Sequence, residues 1–190
     1  MNKKIISLLA TSVLSLGVLT ACGSSTDKTE ESKTEQSAEV FAGATAGTDS
    51  FDTLSKGLSK DGAWIAAITK DLDAADKTLK VDGDFKNKEG ETARKLALYT
   101  QDAERKVTDR YTLTVDTLEV NSPNFYISNG TVKGNVEVNA EGFHGQTGKG
   151  VEGEAMIDGD LIFKNKDLMD TYNKLPSEEQ VKVTGETKVK

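Results

Sequence analysis

Apolar residues open the chain in one block and then become sparse. Met1-Asn2-Lys3-Lys4 precedes an uncharged apolar run from Ile5 to Val18, then Leu19-Thr20-Ala21-Cys22, then a polar stretch whose only large apolar residues before Phe51 are Val40 and Phe41. Phe51, Leu54 and Leu58 recur at helical spacing and are closed by Gly57 and Asp61-Gly62, which predicts one short amphipathic helix. Past Ala63 the helical period fades into short β-like runs: Trp64 to Ile68, Leu79 to Phe85, Lys95 to Tyr99, Tyr111 to Val120, Phe125 to Ile127, Val132 to Val138 and Met156 to Phe163. Leu113 and Val115 alternate with Thr112 and Thr114, the period of two that a half-buried strand requires. Leu168 to Leu175 predicts one or two helical turns ended by Pro176. The expected domain, residues 51–190, is therefore all-β with minor helical segments.

Residues 1–21 have the layout of a secretory signal peptide. A 14-residue apolar run reaches only about 21 Å as a helix, short of the roughly 30 Å hydrocarbon core, so a permanent span is the weaker reading. Leu19-Thr20-Ala21-Cys22 resembles the lipobox of bacterial lipoproteins, in which the Cys thiol is diacylglycerol-modified before the chain is cut ahead of it. Lipidation is expected at Cys22, the only Cys, with the membrane as partner through two acyl chains. Residues 22–50, rich in Ser, Thr, Glu and Lys, bury too little surface to offset their ordering entropy and are expected to act as a disordered tether. The expected location is the extracellular face of the cell membrane.

A pentad of apolar, polar, Gly, acidic or Asn, and usually apolar residues recurs. It reads Val81-Asp82-Gly83-Asp84-Phe85, Val132-Lys133-Gly134-Asn135-Val136, Val151-Glu152-Gly153-Glu154-Ala155 and Ile157-Asp158-Gly159-Asp160-Leu161, with a degenerate copy at Val183-Thr184-Gly185-Glu186-Thr187. In a β-solenoid, short strands meet at corners where a Cβ would clash, which would make Gly83, Gly134, Gly153 and Gly159 corner residues. Val132 lies 19 residues before Val151, about one three-sided coil, although the other intervals are irregular. The same Gly-Asp pairs also suit hairpin turns of an antiparallel β-sandwich, so spacing alone leaves both architectures open.

The stretch from Ala63 to Val189 resembles a group of lipoproteins of low-GC Gram-positive bacteria carrying a bactofilin-like, polymer-forming domain. The likeness rests on Trp64 to Asp71, Val81 to Phe85, Arg94 to Tyr99, Asn121 to Asn124 and Gly130 to Val136. It implies a short right-handed parallel β-helix (β-solenoid), with self-association or a cell-envelope partner. The glycine-rich insert from Gly142 to Gly153 and the helical segment from Leu168 to Leu175 depart from that pattern.

Charge and composition narrow the chemistry. Lys and Arg number 24 against 31 Asp and Glu, a net −7, and 22 against 31 without Lys3 and Lys4 leave −9, which repels phosphate backbones and argues against nucleic acid. One Cys and one His cannot build a Cys/His zinc site. Asp82 with Asp84, and Asp158 with Asp160, match no calcium-loop spacing and read as solvated turn acids. His144 lies in a glycine-rich stretch with no nucleophile motif beside it, and Trp64 reads as a core or capping residue rather than a sugar platform. These features predict no catalytic residues, no metal and no cofactor. The expected function is a non-enzymatic scaffold or interaction module of the cell envelope, with a glycan-binding or carbohydrate-active protein as the alternative.

Overall fold

The structure, a computed structural model, describes residues 47–146 and 154–190. The lipobox residues Leu19, Thr20 and Ala21, the expected lipid site Cys22, and Gly153 all lie outside the described residues. The folded domain begins slightly earlier than position 51: Thr48 is buried and bridges Ile68 in parallel.

The helix α1 (Phe51–Leu58) has the predicted bounds and buries Leu54 and Leu58. The strands are β1 (Ile65–Ala67), β2 (Leu72–Val81), β3 (Arg94–Ala97), β4 (Tyr99–Gln101), β5 (Val107–Arg110), β6 (Thr112–Val120), β7 (Phe125–Ser128), β8 (Thr131–Val138), β9 (His144–Gly145), β10 (Met156–Asp158), β11 (Leu161–Phe163), β12 (Lys182–Val183) and β13 (Thr187–Val189). A second helix, α2 (Lys166–Tyr172), and a short 3-10 turn, Ser177–Glu179, lie between β11 and β12.

Every strand pair among the described residues is parallel except β4–β5. That overturns the antiparallel sandwich, whose hairpins would pair neighbours in sequence. One parallel sheet runs β1-β3-β7-β9, and the other joins β2, β6 and β8 to β10 and β12 at one end and to β11 and β13 at the other. Along this second sheet the apolar residues stack: Leu72, Leu113, Val132, Ile157 and Val183 at one position, and Leu79, Leu118, Val136, Leu161 and Thr187 at another. All of these except Val183 and Thr187 are buried.

The register revises the repeat. Val132 pairs with Ile157, not with a residue near Val151, and its 19-residue interval runs back to Leu113. The pentads that stack are those around Gly134, Gly159 and the supposedly degenerate Gly185. Their glycines lie so close that a Cβ on Gly159 would meet the Gly134 carbonyl oxygen at 2.2 Å and one on Gly185 the Gly159 oxygen at 2.5 Å. Gly83 belongs to a different bend. Val81 is in register with Val120 and Val138, so the Val81 pentad leaves the sheet at its far end, where Gly83 has φ +94° and faces the backbone of Lys60. At that bend a side-chain ladder replaces glycine: Asn139 donates to Asn121 at 2.9 Å and Asn121 donates to Asp82 at 2.8 Å.

Strand β2 starts well before the predicted Leu79. Its middle, Ala75 to Thr78, is exposed and bulges relative to β6, so its polar residues hid the strand. Phe85, expected in that run, lies beyond the strand end.

An aromatic series fills the interior on the side of β7 and β9. Phe125 and Phe143 stack at 6.2 Å, Phe143 meets Tyr172 at 5.8 Å, and Tyr172 meets Phe163 at 5.2 Å. Arg94, in register with Phe125, occupies the corresponding position one strand earlier and is fully buried. Its guanidinium lies 3.8 Å from the Phe85 ring centroid and donates to the Gly57 and Ser59 carbonyls at the end of α1, at 2.8 and 3.1 Å. Burial brings its pKa down to about 10, against the opposing pull of Asp82.

Candidate functional site

The acids singled out from the sequence do not converge. Asp82 anchors the asparagine ladder, and Asp84 is exposed beyond it. Asp158 accepts from the Thr184 hydroxyl at 2.9 Å, across the stacked pentads. Asp160 accepts from Lys188 Nζ at 2.6 Å and from the Glu186 backbone N–H at 2.9 Å, and these bonds hold its carboxyl below the usual carboxylate range. A general acid needs the opposite shift. Glu119 is likewise held low, first by its hydrogen bond with Lys80. Among the described residues no group of three or more His, Cys, Asp or Glu side chains could hold a metal ion. Trp64 is half-buried, and its carbonyl accepts from the Lys95 N–H.

His144 is not a surface-loop residue. It lies on β9, within the glycine-rich stretch where the sequence predicts no strand, and its ring stacks on Tyr126 at 5.0 Å with an interplanar angle of 13°. Lys95 Nζ lies 5.8 Å from the centre of the Tyr126 ring, so the outer face of this sheet carries a Lys95-Tyr126-His144 column. Burial, with Tyr99 and Glu89 nearby, pushes the Tyr126 hydroxyl up to about 12. Burial also lowers the His144 pKa, only partly offset by its backbone bond at Gly145 and by Glu179.

The His144 shift has a stability consequence. With a folded pKa below its unfolded value of roughly 6.5, the unfolded chain binds more protons in the interval between the two. The neutral-His contribution is complete above that unfolded value and is lost as pH falls through the folded pKa. Urea unfolding at several pH values between 8 and 5 should therefore show a steeper loss of stability in the parent than in His144→Gln. Parallel pH profiles would contradict this.

A cavity of mixed lining lies next to this column and is bordered by His144 itself. The 3-10 turn Ser177–Glu179 packs against β9, and the helix α2 packs against β11 and β13. Between it and the bend after β8 remains a groove of about 530 Å3. Phe143, Leu168 and Leu175 line its apolar part, and Glu141, Asp167 and Glu179 contribute carboxylates. Among the described residues no Lys or Arg lines it. Tyr172 holds the far side in place, accepting from the Val181 N–H at 2.8 Å and donating to the Val181 carbonyl at 3.3 Å. The sequence reading missed this groove because its walls come from a β-strand bend and a helix that are adjacent only after folding.

Comparison with family models, with curated proteins and with solved structures gives no match.

Proposed function

We propose that the chain is a bactofilin-like, lipid-anchored β-solenoid that serves as a non-enzymatic scaffold or interaction module on the outer face of the cell membrane. The observation that carries this reading is the in-register parallel stack. Chain segments separated by 18 to 41 residues return to lie beside one another, as successive coils of a solenoid do. Such stacking produces flat lateral faces of fixed spacing, suited to holding a partner rather than turning over a substrate. Cys22 supplies the anchor in this reading. Among the described residues no helix is long and apolar enough to cross a membrane.

The two ends of the stack favour lateral binding over end-to-end growth. The first coil is covered by α1, with Leu54 and Leu58 buried against the core. The strands β12 and β13 carry Lys182 and Lys188, and charged edges resist strand addition. Sedimentation equilibrium should therefore give a monomer over a wide concentration range; a concentration-dependent series of oligomers would restore self-assembly as the scaffold's mode.

The anchor is tested separately. Replacing Cys22 by Ala should move the protein from the membrane fraction to the soluble fraction, or leave an unprocessed precursor, with loss of metabolic labelling by a fatty acid. Unchanged labelling would remove the lipid anchor from this reading.

A further inference from the structure

We propose that Asn129-Gly130 is a self-deamidation site held closed by the fold, and that lasting exposure of the corner between β7 and β8 converts the chain to a form unable to close again. The dipeptide is the only Asn-Gly pair in the sequence. Glycine leaves the attacking backbone nitrogen unhindered, which makes this pair the most reactive amide in an open chain. The Gly130 nitrogen loses its proton to a solvent base and attacks Asn129 Cγ. A new N–Cγ bond closes a succinimide as the bond from Cγ to Nδ2 breaks, and Nδ2 takes a proton from water and leaves as ammonia. Water then opens the ring at either carbonyl, giving aspartate or isoaspartate.

The folded corner opposes each of these steps. The carboxamide is pinned at both ends, since Oδ1 accepts from Arg110 Nε at 3.2 Å and Nδ2 donates to Gln146 Oε1 at 3.2 Å. Ser128 Oγ donates to the same Gln146 oxygen, and Ser128 and Asn129 are both fully buried, which keeps solvent base and hydrolytic water away. Asn129 and Gly130 have φ of +53° and +61°. The Tyr111 carbonyl oxygen lies 2.4 Å from where a Cβ on Gly130 would stand, leaving no room for the main chain to turn as ring closure requires. The Ser128 carbonyl accepts from Leu98 N–H and the Gly130 carbonyl from Met156 N–H, so neighbouring segments fix the corner on both sides. The same fit excludes the product. Isoaspartate inserts an extra main-chain carbon between residues 129 and 130, where these bonds leave no slack.

The full chain in maltoside micelles, folded or in urea, is incubated at pH 8, and the tryptic segment 111–133 is sequenced by mass spectrometry for conversion of amide to acid. Conversion at Asn129 should be at least about tenfold slower in the folded chain, because it then requires the corner to open. Gln146→Ala removes one pin and should speed folded-state conversion by about threefold or more, whereas Gly90→Ala, which lowers stability elsewhere, should leave it near the parent rate. On removal of urea, unconverted chains should regain cooperative unfolding and isoaspartyl chains should not. Equal conversion in folded and unfolded chains, equal rates for Gln146→Ala and Gly90→Ala, or isoaspartyl chains that refold like the parent would overturn the proposal.

Discussion

Replacing Gly134 by Ala should destabilise the domain by roughly 3 kcal/mol, lowering its unfolding midpoint by about 10 °C. Two effects add at this residue. Its φ of +135° lies where side-chain-bearing residues are strained, and its Cβ would approach the Val115 carbonyl oxygen to 2.0 Å. The obstacle is backbone on the neighbouring strand, which cannot move without displacing the ladder on which β8 is built. Gly159→Ala should be costly for the second reason alone, since its Cβ would meet the Gly134 oxygen. Gly90 is the control: its φ is +83° but nothing lies within 4 Å of the added Cβ, so Gly90→Ala should cost only about 1 kcal/mol. Thermal unfolding of the three variants checks the ranking, and equal losses at Gly134 and Gly90 would show that the close approach of neighbouring parallel strands is not the cause.

Arg94→Ala should cost about 3 to 5 kcal/mol, chiefly through the void left among Phe85, Phe125 and α1. Arg94→Met should cost less than about 1.5 kcal/mol, because the charge itself adds little. The guanidinium leaves Nε and Nη1 without hydrogen-bond partners in the interior. The carbonyls it serves have other donors: Gly57 O accepts from Ala63 N–H and Ser59 O from Gly62 N–H. Methionine would fill most of the volume and remove a buried charge. Chemical denaturation distinguishes the outcomes. Similar large losses for Ala and Met would mean that the charge at the end of α1, rather than the filled space, holds that end of the helix in place.

These two positions also mark how far the sequence could be read. Apolar spacing located α1 and most of the strands because inward residues such as Leu113 and Val115, or Leu118 and Val120, alternate regardless of what pairs with them. Pairing direction was not available from the same signal. A Gly-Asp or Gly-Asn bend looks alike in a hairpin and in a solenoid corner, and only the partner strand, 18 to 26 residues away, separates them. The pentad around Gly185 ends on Thr187 in place of an apolar residue, yet Thr187 pairs with Leu161 in the same register as the other pentads. Arg94 was unreadable for a different reason. Charge predicts exposure, and nothing local announces that the end of α1 will supply acceptors from more than thirty residues earlier in the chain. The groove beside α2 was hidden in the same way, since Glu141, Asp167 and Glu179 are neighbours only across the fold.

Cross-linking of outward positions on neighbouring parallel segments tests the register most directly. With Cys22 replaced by Ser, cysteines introduced at Lys133 and Asp158, or at Asp158 and Thr184, face one another on adjacent strands. Parallel neighbours bring such Cα atoms within disulfide range. Both pairs should close rapidly on mild oxidation, within one chain and without loss of cooperative unfolding. A folded chain in which neither pair closes would contradict the stacked register and the scaffold reading built on it.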